Sequence, residues 1–169
     1  MKPDLYWIPG PWRGRLAVSG RPRGGDWLTD ESRGLRHAGV DVVVSLLEGA
    51  EAEQLELSQE EPATQLHGMS FLSFPIPDRG VPESSQAAVS LTKEVAKLLE
   101  EGNTVAIHCR QGIGRSGMIA VAVLMTSGVA LEKALQDVSA ARGAPIPETP
   151  AQLDWLRHFP AERPVVSLP

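Results

Sequence analysis

The amino-acid sequence predicts an α/β domain with a mainly parallel central sheet flanked by helices. Two observations carry that expectation. Short apolar runs rich in β-branched residues alternate along the chain with longer segments of helical periodicity, the pattern of parallel strands joined by helical crossovers. One of these runs, Thr104 to His108, passes through a glycine-containing loop into an almost wholly apolar helical segment from Gly114 to Met125. Strand, loop and helix in that order place a binding site at the carboxyl end of a strand.

Strands are expected near residues 15–19, 41–47, 71–76 and 104–108. Helical patterns fall between them: Asp26 to Ala38, a less distinct one within 50–67, and Ser84 to Glu101. In the last, Ala88, Leu91, Val95 and Leu98 recur at helical spacing and Gly102 offers a stop. After the buried helix come Leu131 to Ala141 and Pro150 to Phe159, with Thr149 as a cap and Pro150 at the first helical position. Ala161 to Pro169 reads as a loose tail.

At 169 residues and 42% hydrophobic content the chain can bury one good core, so a single domain over 1–169, its core about 15–160, is expected. No apolar run approaches a membrane span and no signal segment opens the chain. The net charge of −5 argues against general binding to nucleic acid, which needs many Lys and Arg. The charge is uneven. Glu48, Glu51, Glu53, Glu56, Glu60 and Glu61 form an acidic block without a basic residue, read as a solvated helix and loop, whereas the first 36 residues are rich in arginine. Arg21 and Arg23, in Gly20-Arg21-Pro22-Arg23-Gly24-Gly25, either border a phosphate pocket or form a solvated turn.

Cys109 is the only cysteine, in His108-Cys109-Arg110-Gln111-Gly112-Ile113-Gly114-Arg115-Ser116-Gly117. Gly112 and Gly114 let the loop curl so that the backbone N–H groups of Arg110, Gln111, Gly112, Ile113, Gly114 and Arg115 can face one centre, an anion-binding nest. The start of the next helix adds partial positive charge, and Arg115 adds a planar fork suited to phosphate oxygens. The same groups stabilise a thiolate, making Cys109 a nucleophile, and Ser116 can donate a hydrogen bond to the sulfur as it leaves. A Walker-type phosphate loop is excluded because no Gly-Lys-Ser/Thr ending exists. Taken singly, a buried cysteine or a core histidine would be unremarkable; the combination is what points to chemistry.

His108-Cys109, five residues, then Arg115-Ser116 resembles the signature of the cysteine-dependent protein tyrosine phosphatase superfamily, and the chain length resembles its compact dual-specificity branch. The resemblance implies a dual-specificity-phosphatase-like fold and attack by the Cys109 thiolate on phosphorus. A phosphocysteine intermediate follows, then hydrolysis by water, with Arg115 holding the phosphoryl oxygens and no metal or cofactor required. His108 resembles the histidine that orders the family's loop. The reaction needs a general acid for the leaving oxygen. Asp78, in Phe74-Pro75-Ile76-Pro77-Asp78-Arg79-Gly80-Val81-Pro82, is the candidate: it lies in a constrained turn after an apolar run, about thirty residues before the cysteine, as in family members. Asp137, Asp154 and Glu148 are competitors. Gln152, three residues after Thr149, resembles the family glutamine that positions the hydrolytic water; a solvated helix residue is the alternative.

The lysines that phosphoinositide phosphatases of the superfamily place in this loop are missing, since only Arg110 is cationic between Cys109 and Arg115. The expected substrate is therefore a phosphorylated protein, carrying phosphotyrosine or phosphothreonine, or a small phosphate ester. A rhodanese-type sulfurtransferase and a noncatalytic phospho-binding module are the alternatives from other classes. The former would not need Asp78, and the latter usually lacks one of the three reactive groups. His37, His67 and His158 have no metal-ligand spacing. With no membrane or nucleic-acid partner expected, a monomer in the reducing cytoplasm is the reading that suits one reactive thiol.

Overall fold

The computed structural model describes residues 2–161, so the expected tail from Ala161 onward lies, beyond its first residue, outside the described residues. Five strands form one mixed sheet in the order β1-β2-β5-β3-β4, where β1 is Tyr6–Ile8, β2 Arg15–Ser19, β3 Val42–Ser45, β4 Ser70–Ser73 and β5 Thr104–His108. β2, β5, β3 and β4 run parallel, and only β1 is antiparallel, on β2. The register aligns Ser19, His108 and Ser45 across the sheet, so the carboxyl ends of these strands share one edge.

The helices are α1 (Leu28–His37), α2 (Gly49–Gln54), α3 (Glu60–Leu66), α4 (Ser85–Glu100), α5 (Gly114–Thr126), α6 (Leu131–Arg142) and α7 (Pro150–Arg157). A one-turn 3-10 segment, Gly25–Trp27, precedes α1. Strand side chains alternate between faces. Leu16, Val18, Val42, Val44, Val105 and Ile107 face the main core beneath α4 to α7, whereas Val43 and Ala106 face a smaller cluster with Leu35 of α1 and Met69. From Gly114 to Leu124 every residue of α5 is buried. Each fully buried aliphatic side chain contributes roughly 1.5–3 kcal/mol, so Ile119, Val121, Val123 and Leu124 anchor the helix that carries the cysteine loop. No helix among the described residues is long and apolar enough to cross a membrane.

Three elements differ from expectation. Tyr6–Ile8 is a strand that the sequence reading passed over, because Pro3, Pro9 and Pro11 around it suggest a loop; as the sheet's edge it tolerates neighbours that lack a ladder N–H. The single helix expected from Asp26 is the 3-10 turn followed by α1. The acidic block is not merely solvated: it forms α2 and the start of α3, and Glu51 and Glu60 are 8% and 4% exposed.

Candidate active site

Cys109 follows directly on β5 and is 3% exposed. The loop turns at Gly112, whose φ of 73° suits glycine, and a Cβ there would lie 2.5 Å from the Ser19 carbonyl carbon. The loop's carbonyls are pinned outward. That of Arg110 accepts from the Arg21 backbone N–H at 3.2 Å, that of Gln111 from Arg142 Nη2 at 3.2 Å and that of Gly112 from Arg142 Nε at 2.8 Å. The N–H groups of Arg110 to Arg115 meet no protein acceptor among the described residues. Carbonyls held outward and amides left inward are the makings of an anion nest at the start of α5. Ser116 Oγ, fully buried in the first turn of α5, lies 3.3 Å from Cys109 Sγ; toward a thiolate, the hydroxyl is the donor.

Arg115 is 2% exposed, and a charge so buried needs partners. Its main partner comes from the acidic block: Nη1 and Nη2 donate to Glu51 Oε1 and Oε2, both at 2.8 Å. Nη1 also donates to the Ile76 carbonyl at 3.0 Å and Nη2 to Asp78 Oδ1 at 3.2 Å. Four of the five guanidinium N–H groups are thus engaged, and the Nε–H has no acceptor among the described residues. Burial opposes the charge on Arg115, but the hydrogen bonds to Glu51 and the charges of Cys109, Glu51 and Asp78 outweigh it, raising the guanidinium pKa. The same hydrogen bonds hold the Glu51 carboxyl below its ordinary range, against the opposing effect of its burial. The two Nη atoms of the fork are therefore held by Glu51, the Ile76 carbonyl and Asp78, and Nε alone keeps a donor without a protein acceptor.

Asp78 sits in a turn closed by the Gly80 N–H donating to the Pro77 carbonyl at 2.8 Å, with Arg79 at a φ of 61°. The turn follows β4 and is fixed from behind, because the Ile76 N–H donates to the Leu46 carbonyl at 3.0 Å and the Ile76 carbonyl holds Arg115. A pocket of about 180 Å³ results, lined by Cys109, Arg110, Gln111, Gly114, Arg115 and Asp78, with Arg79 and Glu148 at its rim. Arg79 Nη1 and Glu148 Oε1 form an ion pair of 3.2 Å across that rim.

His108 is 2% exposed; its Nε2 meets Glu60 Oε2 at 2.5 Å and its Nδ1 lies 3.2 Å from the Cys109 carbonyl. Both nitrogens face acceptors, which fixes the ring behind the loop. Gln152 is fully buried rather than solvated: its Oε1 accepts from the backbone N–H groups of Glu148 and Thr149, and its Nε2 donates to the Gly80 carbonyl at 3.1 Å. It ties the Asp78 turn to the start of α7, where Thr149 and Gln152 form a capping box. Ile113 packs its side chain on the main core, and neither it nor Gly112 lines the pocket. Asp137 pairs with Lys133 and Asp154 lies beside His158, neither at the pocket. Arg21 and Arg23 do not border this pocket; they line a separate cavity behind the loop. Among the described residues no group of His, Cys, Asp and Glu is arranged to hold a metal ion.

Sequence reasoning missed Glu51, Glu60 and Arg142. Nothing local marks them, although an unbroken acidic block facing a chain with a buried arginine and histidine was a usable hint.

Cys109, Arg115 and Asp78 thus line one pocket at the carboxyl edge of the sheet. A family model described as the DSP-PTPase phosphatase of polymorphic toxin systems matches residues 17–129, and the chain belongs to that family. Protein 197R of Invertebrate iridescent virus 6, named as a candidate tyrosine phosphatase, is 27% identical over 158 residues, covering 91% of this chain and 56% of the viral protein. The chain thus spans little more than half the length of that relative. The active form of Tk-PTP is 31% identical, with a TM-score of 0.77 over 94% of this chain and 97% of that one. Kinase-associated phosphatase with its catalytic cysteine replaced by serine reaches a TM-score of 0.84 over 94% of each chain, at 18% identity, a likeness of fold.

Proposed function

We propose that this chain hydrolyses phosphate monoesters, with phosphotyrosine and phosphothreonine of proteins as substrates, through a phosphocysteine intermediate. The observation that carries the reading is the convergence of Cys109, Arg115 and Asp78 on one pocket, beside a loop whose N–H groups meet no protein acceptor among the described residues. In the first step the Cys109 sulfur forms a bond to phosphorus while the bond from phosphorus to the leaving oxygen breaks, and Asp78 gives that oxygen its proton. Water then attacks phosphorus, Asp78 takes a proton from it, and the thiolate leaves, assisted by Ser116 Oγ.

The geometry supports a specific role for the Asp78–Arg115 contact. A phosphoryl group entering the nest competes for Nη2 and occupies Nε, which releases the Asp78 carboxyl from the guanidinium. The carboxyl side chain, 57% exposed, is then free to turn toward the leaving group. Glu51 keeps the guanidinium in plane throughout, and Gln152 keeps the Asp78 turn in place. Gln152 acts here through position, its amide being engaged with backbone groups. A single free thiol, Cys109, is compatible with work in a reducing compartment such as the cytoplasm.

A phenolate leaves more readily than an alkoxide and needs less from Asp78. Steady-state kcat/KM on matched peptides differing only in the phosphorylated residue tests the substrate class. The expected order is phosphotyrosine above phosphothreonine above phosphoserine. A clear phosphoserine preference, or turnover confined to nonprotein esters, sinks the protein-phosphatase reading and leaves the cysteine mechanism standing.

A further inference from the structure

Beside the cysteine loop lies a second cavity, of about 410 Å³, which shares only Gln111 with the lining of the catalytic pocket. It exists because the sheet is unevenly covered. α4 to α7 pack one face, whereas α1 and α3 cover the other mainly toward β3 and β4. Over β5 that face carries the small Ala106, registered between Ala17 and Val43, and the missing volume becomes a recess. Its size falls within the range of roughly 300–1,000 Å³ typical of small-ligand sites.

The recess has two kinds of wall. Val43, Ala106, Leu35 and Tyr6 make an apolar floor and side. Lys2, Arg21, Arg23 and Arg142 border it against two carboxylates, Asp4 and Glu31, giving an excess of positive charge in a chain whose net charge is −5. Arg23 is taken by Glu31 and stacks on Trp27, and Arg142 is committed to the loop carbonyls and the Tyr6 ring. Arg21 differs. Its guanidinium donates only to the neighbouring Pro22 carbonyl, at 3.3 Å, and makes no ion pair among the described residues. Lys2 also makes no ion pair among them. At the inner end Ser19, 9% exposed, lines the cavity with a hydroxyl that has no hydrogen-bond partner among the described residues. That hydroxyl opens on the cavity and is available to a ligand oxygen.

We propose that this cavity is a second binding site, for a small organic anion with an apolar body. The anionic head, a phosphate, phosphonate or carboxylate group, meets Arg21, Lys2 and the Ser19 hydroxyl, and the body lies over Ala106, Val43 and Leu35. The site is separate from the catalytic pocket. It shares Gln111 with that pocket and touches His108 and Arg142, so an occupant rests against the groups that hold the cysteine loop in shape.

The test first removes the catalytic pocket from the measurement. Carboxymethylating Cys109 with iodoacetate fills that pocket with a negative charge, and no other thiol exists to react. Phenylphosphonate, whose C–P bond is not hydrolysed, is then titrated calorimetrically into the carboxymethylated protein. Saturable one-to-one binding is expected, weaker by about tenfold or more in Arg21→Glu, since a hydrogen bond to a charged group is lost and repulsion added. Inorganic phosphate, which lacks the apolar body, should bind more weakly than phenylphosphonate. Lys2→Glu, on the exposed amino-terminal segment, gives the same reading if Arg21→Glu does not fold. No saturable binding to the carboxymethylated wild type, or unchanged affinity in the folded charge-reversed variant, overturns the site. Equal affinity for inorganic phosphate overturns the apolar part of the proposal.

Discussion

The cysteine loop, residues 109–116, and the acidic block, residues 48–61, end up within hydrogen-bonding distance of one another, yet they are built on different principles. The loop is local: its glycines, amides, arginine and serine act on a common centre within eight consecutive residues. The block works at long range, Glu51 meeting Arg115 across 64 positions and Glu60 meeting His108 across 48. Only two of its six glutamates are buried, and those two meet Arg115 and His108, the buried basic side chains of the loop and of the strand before it. A guanidinium as buried as that of Arg115 would be costly without a partner, and the Glu51 carboxylate behind it makes the arrangement tolerable.

The largest effect is expected at the loop. Cys109→Ser is expected to abolish turnover of p-nitrophenyl phosphate while leaving phosphate binding intact, because the hydroxyl lacks thiolate reactivity but the amide nest remains. Steady-state assays beside a phosphate titration check this, and turnover near wild type would remove Cys109 from the mechanism.

Next in size is Asp78→Asn, expected to lower kcat by ~10²–10⁴-fold on alkyl phosphates, the usual contribution of a general acid. With p-nitrophenol as leaving group the loss should be smaller. An equal loss with good and poor leaving groups would shift the acid role to Glu148, which lines the same pocket.

Glu51→Gln and Glu53→Gln compare two members of the acidic block directly. Glu53 is exposed, and its replacement should leave both stability and kcat/KM within error. Glu51→Gln leaves Arg115 buried with a weakened partner and should cost about 1–3 kcal/mol in chemical denaturation. Its kcat/KM should fall by the order of tenfold, the effect of a positioning residue. Matching behaviour in the two variants would show that the bidentate contact carries no function.

The smallest effect is the pH dependence of that contact. Glu51 has a folded-state pKa below its ordinary value of 4.5, so its contribution to stability is complete above that value and vanishes as pH falls through the lower folded-state one. The difference in Tm between wild type and Glu51→Gln should therefore be full at neutral pH and close below pH 4.5. A gap that stays constant on acidification would mean the pair contributes through packing rather than charge.

Parallel α/β architecture, the strand–loop–helix placement of Cys109, and the turn bearing Asp78 were legible because each is written in neighbouring residues. Hydrophobic periodicity marks α4 and α5, glycine marks the φ of 73° at position 112, and proline marks the Asp78 turn. β1 was not legible, since three residues among prolines carry too little pattern to suggest an edge strand.

By itself the sequence determined which residues could do phosphate chemistry, because nucleophile, nest and arginine fork are set by local spacing and backbone freedom. Only the tertiary structure decided which carboxylates hold Arg115 and His108, which way the fork points, that Gln152 is buried between two loops, and that Arg21 faces a different cavity. The physical reason is distance along the chain: a local motif fixes its geometry through its own dihedrals, whereas partners tens of residues apart meet only when the sheet register and helix packing bring their side chains to one edge.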